Sequence, residues 1–243
     1  TDGTVDIVIG THALLARDIQ FQRLGFLIVD EEQHFGVAHK ERLKHLKTNI
    51  HVLTLTATPI PRTLQLALTG VRELSLITTP PVDRLAVRTF VTPKDPMVLR
   101  EAINRERLRG GQIFYVCPRI SDISHLETEL SELVPDLRIA VAHGRLPPTR
   151  LEDVMNSFYE GSYDLLLSTN IVESGLDLPS VNTIIIHRAD RFGLAQLYQL
   201  RGRIGRSKLR GYAYLTLPNN QKVTTAAQKR LEVMQSLDSL GAG

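Results

Sequence analysis

Two clusters of ionisable side chains carry the types and spacing that chemistry needs. Phe26-Leu27-Ile28-Val29 runs straight into Asp30-Glu31-Glu32-Gln33-His34. Carboxylates at the C-terminal mouth of an apolar strand sit where open α/β sheets bind ligands. In a phosphoryl-transfer site the first carboxylate, Asp30, holds Mg²⁺, often through water, and Glu31 orients the attacking water. A solvated acidic loop and a metal-dependent nuclease on Asp30, Glu31 and Glu32 are the other readings. The second cluster is Gln199-Leu200-Arg201-Gly202-Arg203-Ile204-Gly205-Arg206. Its three arginines, spaced by glycines and one apolar residue, suit a packed helix poorly and repel one another unless an anion lies among them. An arginine that neutralises charge on a transferred γ-phosphoryl group contributes roughly 10³–10⁵ in rate. A surface arginine patch for nucleic acid is the alternative.

Smaller constellations lie between these two. Thr56-Ala57-Thr58-Pro59, followed by Ile60-Pro61-Arg62-Thr63, places hydroxyls at a strand mouth, where they can bond the acidic cluster or a backbone phosphate. The same residues also make a good helix start. Leu165-Leu166-Leu167 ends in Ser168-Thr169-Asn170, and Gly175 and Asp177 follow. Gly175 permits close backbone approach; Asp177 can pair with an arginine or with ribose hydroxyls. Gly10-Thr11-His12 and His143-Gly144-Arg145 each follow a strand end and offer amides, a hydroxyl or a cation to phosphates, or are ordinary turns. Phosphate contacts of that kind position a protein without reading bases. With no base-reading element and no tryptophan, sequence-independent tracking is the natural nucleic-acid mode.

The elements that must position these residues alternate between short β-rich runs and helix-like stretches, the pattern of parallel α/β units. Val5–Ile9, Phe26–Val29 and Val52–Leu55 read as buried strands, with a helix over Ala38–Lys47 and another over Leu64–Leu68. Thr79-Pro80-Pro81-Val82-Asp83 is a stiff connector and the best boundary. Beyond it, strands are expected over Leu85–Val91, Ile113–Val116, Ile139–Ala142, Asp164–Ser168, Thr183–His187 and Tyr212–Leu217. Helices are expected over Met97–Leu108 and near 122–134, 148–160 and 193–202, with Gly110-Gly111 as a stop. This makes a five- or six-stranded parallel domain. A last helical pattern runs from Thr224 to Leu240.

Composition sets outer limits. The 243 residues are 42% hydrophobic and 23% charged, with a net charge of +3. That is ordinary for a globular protein and permits a nucleic-acid partner without requiring one. Cys117, the only cysteine, excludes an internal disulfide or thiolate metal site and reads as a small core residue. No run approaches eighteen apolar residues, and Thr1-Asp2-Gly3 does not open a secretory signal, so a reducing, cytoplasmic setting is expected. The phosphate-binding pattern G-x-x-x-x-G-K-S/T is absent from the sequence; Gly110-Gly111 is followed by Gln112.

Taken in order, these segments resemble the motifs of superfamily-2 helicases. Gly10–His12 resembles motif Ib, Asp30–Gln33 the Walker B motif, Thr56–Thr58 motif III, Ser168–Asp177 motif V and Gln199–Arg206 motif VI. Asp30–Val37, Thr54–Thr63 and Phe192–Gln196 look like the family that joins the transcription-repair coupling factors to the branch-migrating helicase RecG. His39–Leu43, the Thr79-Pro80-Pro81 connector and Thr224–Leu231 are more similar to the former. The resemblance implies two RecA-like parallel-sheet lobes, the first incomplete (1–79 and 80–217), and a C-terminal helical hairpin begun by 218–243. It further implies an ATP- and Mg²⁺-dependent translocase on the double-stranded DNA backbone, meeting RNA polymerase and excision-repair proteins through parts outside this chain. Asp30, Glu31, Arg203 and Arg206 would be catalytic, with Asp30 on the metal. Glu32, Gln33, Thr56, Thr58, Gly175, Asp177 and Gln199 would surround the nucleotide. Thr11, His12, Arg62, His143, Arg145 and Thr169 would touch DNA. Without the phosphate-binding lysine loop, the chain alone is expected to be inactive.

Overall fold

Short apolar runs bounded by glycine, proline and polar residues become parallel strands in the computed structural model. It describes residues 5–16, 18–31, 35–46, 50–55, 75, 77, 85–169, 178, 180–219 and 222–236. The chain divides into two units, Thr1–Leu76 and Ile77–Gly243. The helix expected over Leu64–Leu68 and the connector at Thr79–Asp83 lie outside the described residues, as does the chain beyond Ser236.

In the first unit, β1 (Phe26–Asp30) and β2 (His51–Leu55) pair in parallel from Phe26 opposite His51 to Asp30 opposite Leu55. The helix α1 (Val37–Leu46) is the crossover between them. Both segments form the expected strands, but they are not the buried strands the sequence suggested. Val29 and Leu43 are buried, while Phe26 and Ile28 are each 55% exposed. Two strands and one helix, as described, cannot cover both faces of a sheet. The strand expected at Val5–Ile9 does not form: these residues are irregular, with Val5 64% and Ile9 93% exposed. An extended segment needs a hydrogen-bonded neighbour, and β1 and β2 pair only with each other among the described residues.

The second unit holds one six-stranded sheet. In chain order its elements are β3 (Arg88–Pro93), α2 (Pro96–Leu108), β4 (Gln112–Val116), α3 (Ile123–Leu133), β5 (Ile139–Ala142), α4 (Pro148–Tyr159) and β6 (Leu165–Ser168). They continue with β7 (Val181–Ile186), α5 (Leu194–Arg201), β8 (Tyr212–Leu217) and α6 (Thr225–Ser236). The strands lie in the order β3-β8-β7-β4-β6-β5, all parallel. Local chemistry explains the boundaries. Asp95 caps α2 by accepting from the Met97 amide at 2.8 Å, and Pro96 follows with its φ already helical. Gly110, at φ +72°, ends that helix. Pairing of β3 begins at Arg88 rather than Leu85, where the Arg88 amide donates to Gly211 at 3.0 Å.

Every residue of β4, β6 and β7 is buried, the polar Gln112, Ser168, Asn182 and Thr183 included, as expected in a parallel sheet covered on both faces. Alternation sends Ile113 and Tyr115 to a core built with α2 and α3, and Phe114 and Val116 to one built with α4, α5 and α6. The tail helix α6 joins the latter core through Leu231 and Met234, and Ala227 is buried on the same helix.

Candidate functional site

In the first unit Asp30 closes β1 and is exposed. Glu31 follows with a left-handed φ of +50°, and its amide donates to the Leu55 carbonyl at 3.0 Å. A left-handed backbone is unfavourable for glutamate, and here it turns the chain sharply off the strand end. Thr11 is exposed and accepts from the Ala13 amide at 3.3 Å, capping a short 3₁₀ turn at His12–Leu15. The His12 ring lies 5.1 Å from that of His39. Among the described residues no group of three or more His, Cys, Asp or Glu forms a metal cluster. A single exposed carboxylate suits Mg²⁺, which keeps most of its waters and takes its remaining ligands from phosphates. Glu32, Gln33, Thr56, Thr58 and Arg62 lie outside the described residues.

In the second unit the arginine run splits into two kinds of residue. Arg201 ends α5 and is only 4% exposed. Its Nε donates to Thr89 Oγ1 at 3.1 Å and its guanidinium donates to the Val87 carbonyl at 3.2 Å. The three arginines therefore do not act as one anion-seeking set. Leu197, Leu200 and Arg201 sit at i, i+3 and i+4 on the buried helix face, a spacing visible in the sequence. Gly202 caps the helix, Ile204 is fully buried, and Gly205 takes φ +70°. A Cβ on Gly205 would stand 2.9 Å from Val87 Cγ2. Arg203 is half-buried, while Arg206 is exposed, with its Nε 3.4 Å from the Gly202 carbonyl. Gln199 is half-buried on α5.

The mouth of this sheet gathers further polar groups. Register places Ala142 opposite Ser168, so His143 and Thr169 follow at the ends of adjacent strands. The His143 carbonyl accepts from the Leu146 amide at 3.0 Å, closing the turn on which Arg145 is exposed. His143 Nδ1, Tyr115 Oη, Ser168 Oγ and His187 Nδ1 are buried without a hydrogen-bond partner among the described residues. Such groups ordinarily bind water or a ligand. Burial, and then the Lys94 ammonium, pull the His187 pKa down to about 4, so this ring is neutral at pH 7. Cys117 is fully buried and bonds to the Arg119 carbonyl, and burial pushes its thiol up to about 11. It is the inert core residue expected. Gly175 and Asp177 lie outside the described residues.

Two sequence profiles fit this chain: the DEAD/DEAH box helicase profile over residues 1–67, and the helicase conserved C-terminal domain over residues 94–208. Both matched stretches carry a parallel α/β fold, so the chain holds a segment similar to DEAD/DEAH box helicases and one similar to the helicase C-terminal domain. Over its whole length it is similar to transcription-repair-coupling factors. It is 55% identical to that of Rickettsia prowazekii, covering 99% of this chain, and 56% identical to that of Escherichia coli, covering 100%. The chain spans only about a fifth of the length of these relatives, 22% and 21% respectively. Among solved structures, RecG bound to a three-way DNA junction matches 99% of this chain and 32% of RecG, at 35% identity and a TM-score of 0.74. Saccharomyces cerevisiae Dbp5 bound to RNA and ADP BeF3 shares the fold at 18% identity and a TM-score of 0.67, covering 95% of this chain and 65% of Dbp5. No described helix is long and apolar enough to cross a membrane.

Proposed function

We propose that this chain is part of an ATP-driven double-stranded DNA translocase of transcription-coupled repair, a cytoplasmic motor that displaces stalled RNA polymerase. The observation that carries this reading is the identity to transcription-repair-coupling factors along the entire chain, from the carboxylate strand to the arginine loop. The split of the arginine run supports it. A loop held by Ile204 and Gly205 and displaying Arg203 and Arg206 is suited to meet a polyphosphate.

In this reading Mg²⁺ supplies charge neutralisation on the nucleotide phosphates. Asp30 would hold the metal and Glu31 would orient the attacking water. Arg203 and Arg206 donate to the transferred phosphoryl oxygens, where planar, permanently charged guanidiniums stabilise the charge that develops. Gln199, Glu32, Gln33, Thr56, Thr58, Gly175 and Asp177 line the nucleotide. Thr11, His12, Arg62, His143, Arg145 and Thr169 bind DNA phosphates, which gives salt-sensitive, sequence-independent tracking. RNA polymerase and excision-repair proteins bind elsewhere in the parent.

The test is DNA-stimulated ATP hydrolysis by the intact parent. Arg206→Ala is expected to lower turnover by about 10³ or more while leaving ADP affinity within about twofold. Normal turnover in that variant removes the arginine assignment. DNA binding that ignores nucleotide, with Glu31→Gln silent, would leave only a nucleic-acid-binding module. The 243 residues by themselves lack a G-x-x-x-x-G-K-S/T loop and are expected to show no turnover with duplex DNA. Turnover by the chain alone comparable to that of the parent would overturn that expectation.

A further inference from the structure

Arg201 belongs to the arginine run, yet its side chain is buried within the protein. Its planar fork reaches two acceptors at the start of β3, the Val87 carbonyl at 3.2 Å and Thr89 Oγ1 at 3.1 Å. Four residues later the chain returns to the same place. Gly205 lies against Val87 so closely that a Cβ would meet Val87 Cγ2 at 2.9 Å, and Gly211 packs there too, with 3.1 Å for its own Cβ. Between these anchors Ile204 is fully buried in the core cluster that contains Val87. Backbone bonds tie the intervening turn to the helix: Gly202 N to Tyr198 O at 2.9 Å, and Arg203 N to Leu200 O at 3.1 Å. Arg203 is thus flanked on both sides by residues fixed to Val87, and Arg206 directly follows the second anchor.

We propose that Arg201 is a positioning residue, which fixes the Arg203–Arg206 loop onto the start of β3 and so holds those two guanidiniums where a transferred phosphoryl group needs them. This rests on the reading above that Arg203 and Arg206 serve phosphoryl transfer. Arginine suits the role. It stays charged at every working pH, and its rigid fork bonds two acceptors at once, which a lysine ammonium on a flexible stem does with less directional control. A loop displaced by about 1 Å at such a distance from the reacting atoms costs on the order of a hundredfold in rate.

The experiment uses the intact parent with Arg201→Met, Arg201→Lys, Thr89→Val and Arg206→Ala. The readouts are kcat and KM for ATP with duplex DNA, thermal stability, and affinities for ADP and for ADP with aluminium fluoride as a transition-state mimic. Arg201→Met is expected to lower kcat by about ten- to hundredfold, with KM and ADP affinity within about threefold and the affinity for the mimic falling in step with kcat. Arg201→Lys should recover part of the loss, and Thr89→Val, which deletes one acceptor at nearly constant volume, should lower kcat by about threefold. A stable Arg201→Met with normal kcat overturns the proposal. So does a loss of ADP affinity as large as the loss of kcat, which would mark a merely structural role. If Arg201→Met does not fold, Thr89→Val decides, and an unchanged kcat there overturns the proposal. Normal hydrolysis by Arg206→Ala would instead sink the underlying reading, whatever the Arg201 variants do.

Discussion

Asp30 and Glu31 end a strand with one hydrogen-bonded neighbour and one buried side chain, Val29, among the described residues. The arginine loop follows a helix packed on a six-stranded sheet with helices on both faces. The same α/β grammar produced both, yet among the described residues only the second unit shows a core that packs around its candidate residues. A parallel sheet has no free-standing small version, because each face must be covered and each crossover needs a helix. The described neighbours of the carboxylates are a single strand pair, whereas the arginines are placed by a whole packed unit.

The sharpest way to break this comparison is to excavate each unit. Phe114→Ala removes a fully buried ring that stacks on Phe158 at a centroid distance of 5.9 Å, and should cost about 3–5 kcal/mol in chemical denaturation. Ile28→Ala, at a side chain 55% exposed, should cost less than about 1 kcal/mol. Equal losses would erase the difference between the units. Next comes Gly205→Ala, which meets both a positive φ and the Val87 methyl. A loss of about 1–3 kcal/mol is expected in the same measurement.

Acid should also discriminate between the units. His187 titrates near 4 when folded and near 6.5 when unfolded, so between those values the unfolded chain binds more protons. The contribution of His187 to the second unit's stability is therefore full above pH 6.5 and is lost progressively as pH falls toward 4. His187→Asn should flatten that slope in denaturation midpoints measured from pH 7.5 to 4.5, and an unchanged slope would assign the acid sensitivity to other groups. The smallest effect is expected at the surface. Arg138 donates to Asp164 Oδ1 at 2.6 Å, but its side chain is 56% exposed, so Arg138→Ala should shift stability by less than about 1 kcal/mol.

Much of the second unit was legible because continuous apolar runs bounded by Gly110, Pro147 and polar turns admit few other readings. The first unit was read less well. Val5–Ile9 has the composition of a strand, but composition does not name the neighbour that a strand requires. Within the arginine run the resemblance singles out Arg203 and Arg206, but the inward role of Arg201 is not legible from it. Mutual repulsion was weighed for all three guanidiniums, but helical spacing, which turns Arg201 inward with Leu197 and Leu200, was not. The orphaned hydroxyl of Tyr115 is hidden within an apolar run, and Ser168, visible as a polar strand end, shows its lack of a partner only in three dimensions. For Glu32, Gln33, Thr56, Thr58, Arg62, Gly175 and Asp177, which lie outside the described residues, the motif order remains the basis of assignment.

The edge strand β3 has one consequence for how the chain must be made. Arg88 pairs with Tyr212 and Pro93 with Leu217, so the second unit's first strand waits for its last. On a translating ribosome, β3 emerges well before its partner exists, with Phe90 still lacking the Tyr214 ring on which it stacks in the finished sheet. Pairing over so long a stretch of sequence is intrinsically slow and leaves an open edge in the interim. A nascent or trimmed chain that stops short of Leu217 therefore loses one strand outright and strands another, and any shortened version meant to fold must keep β8.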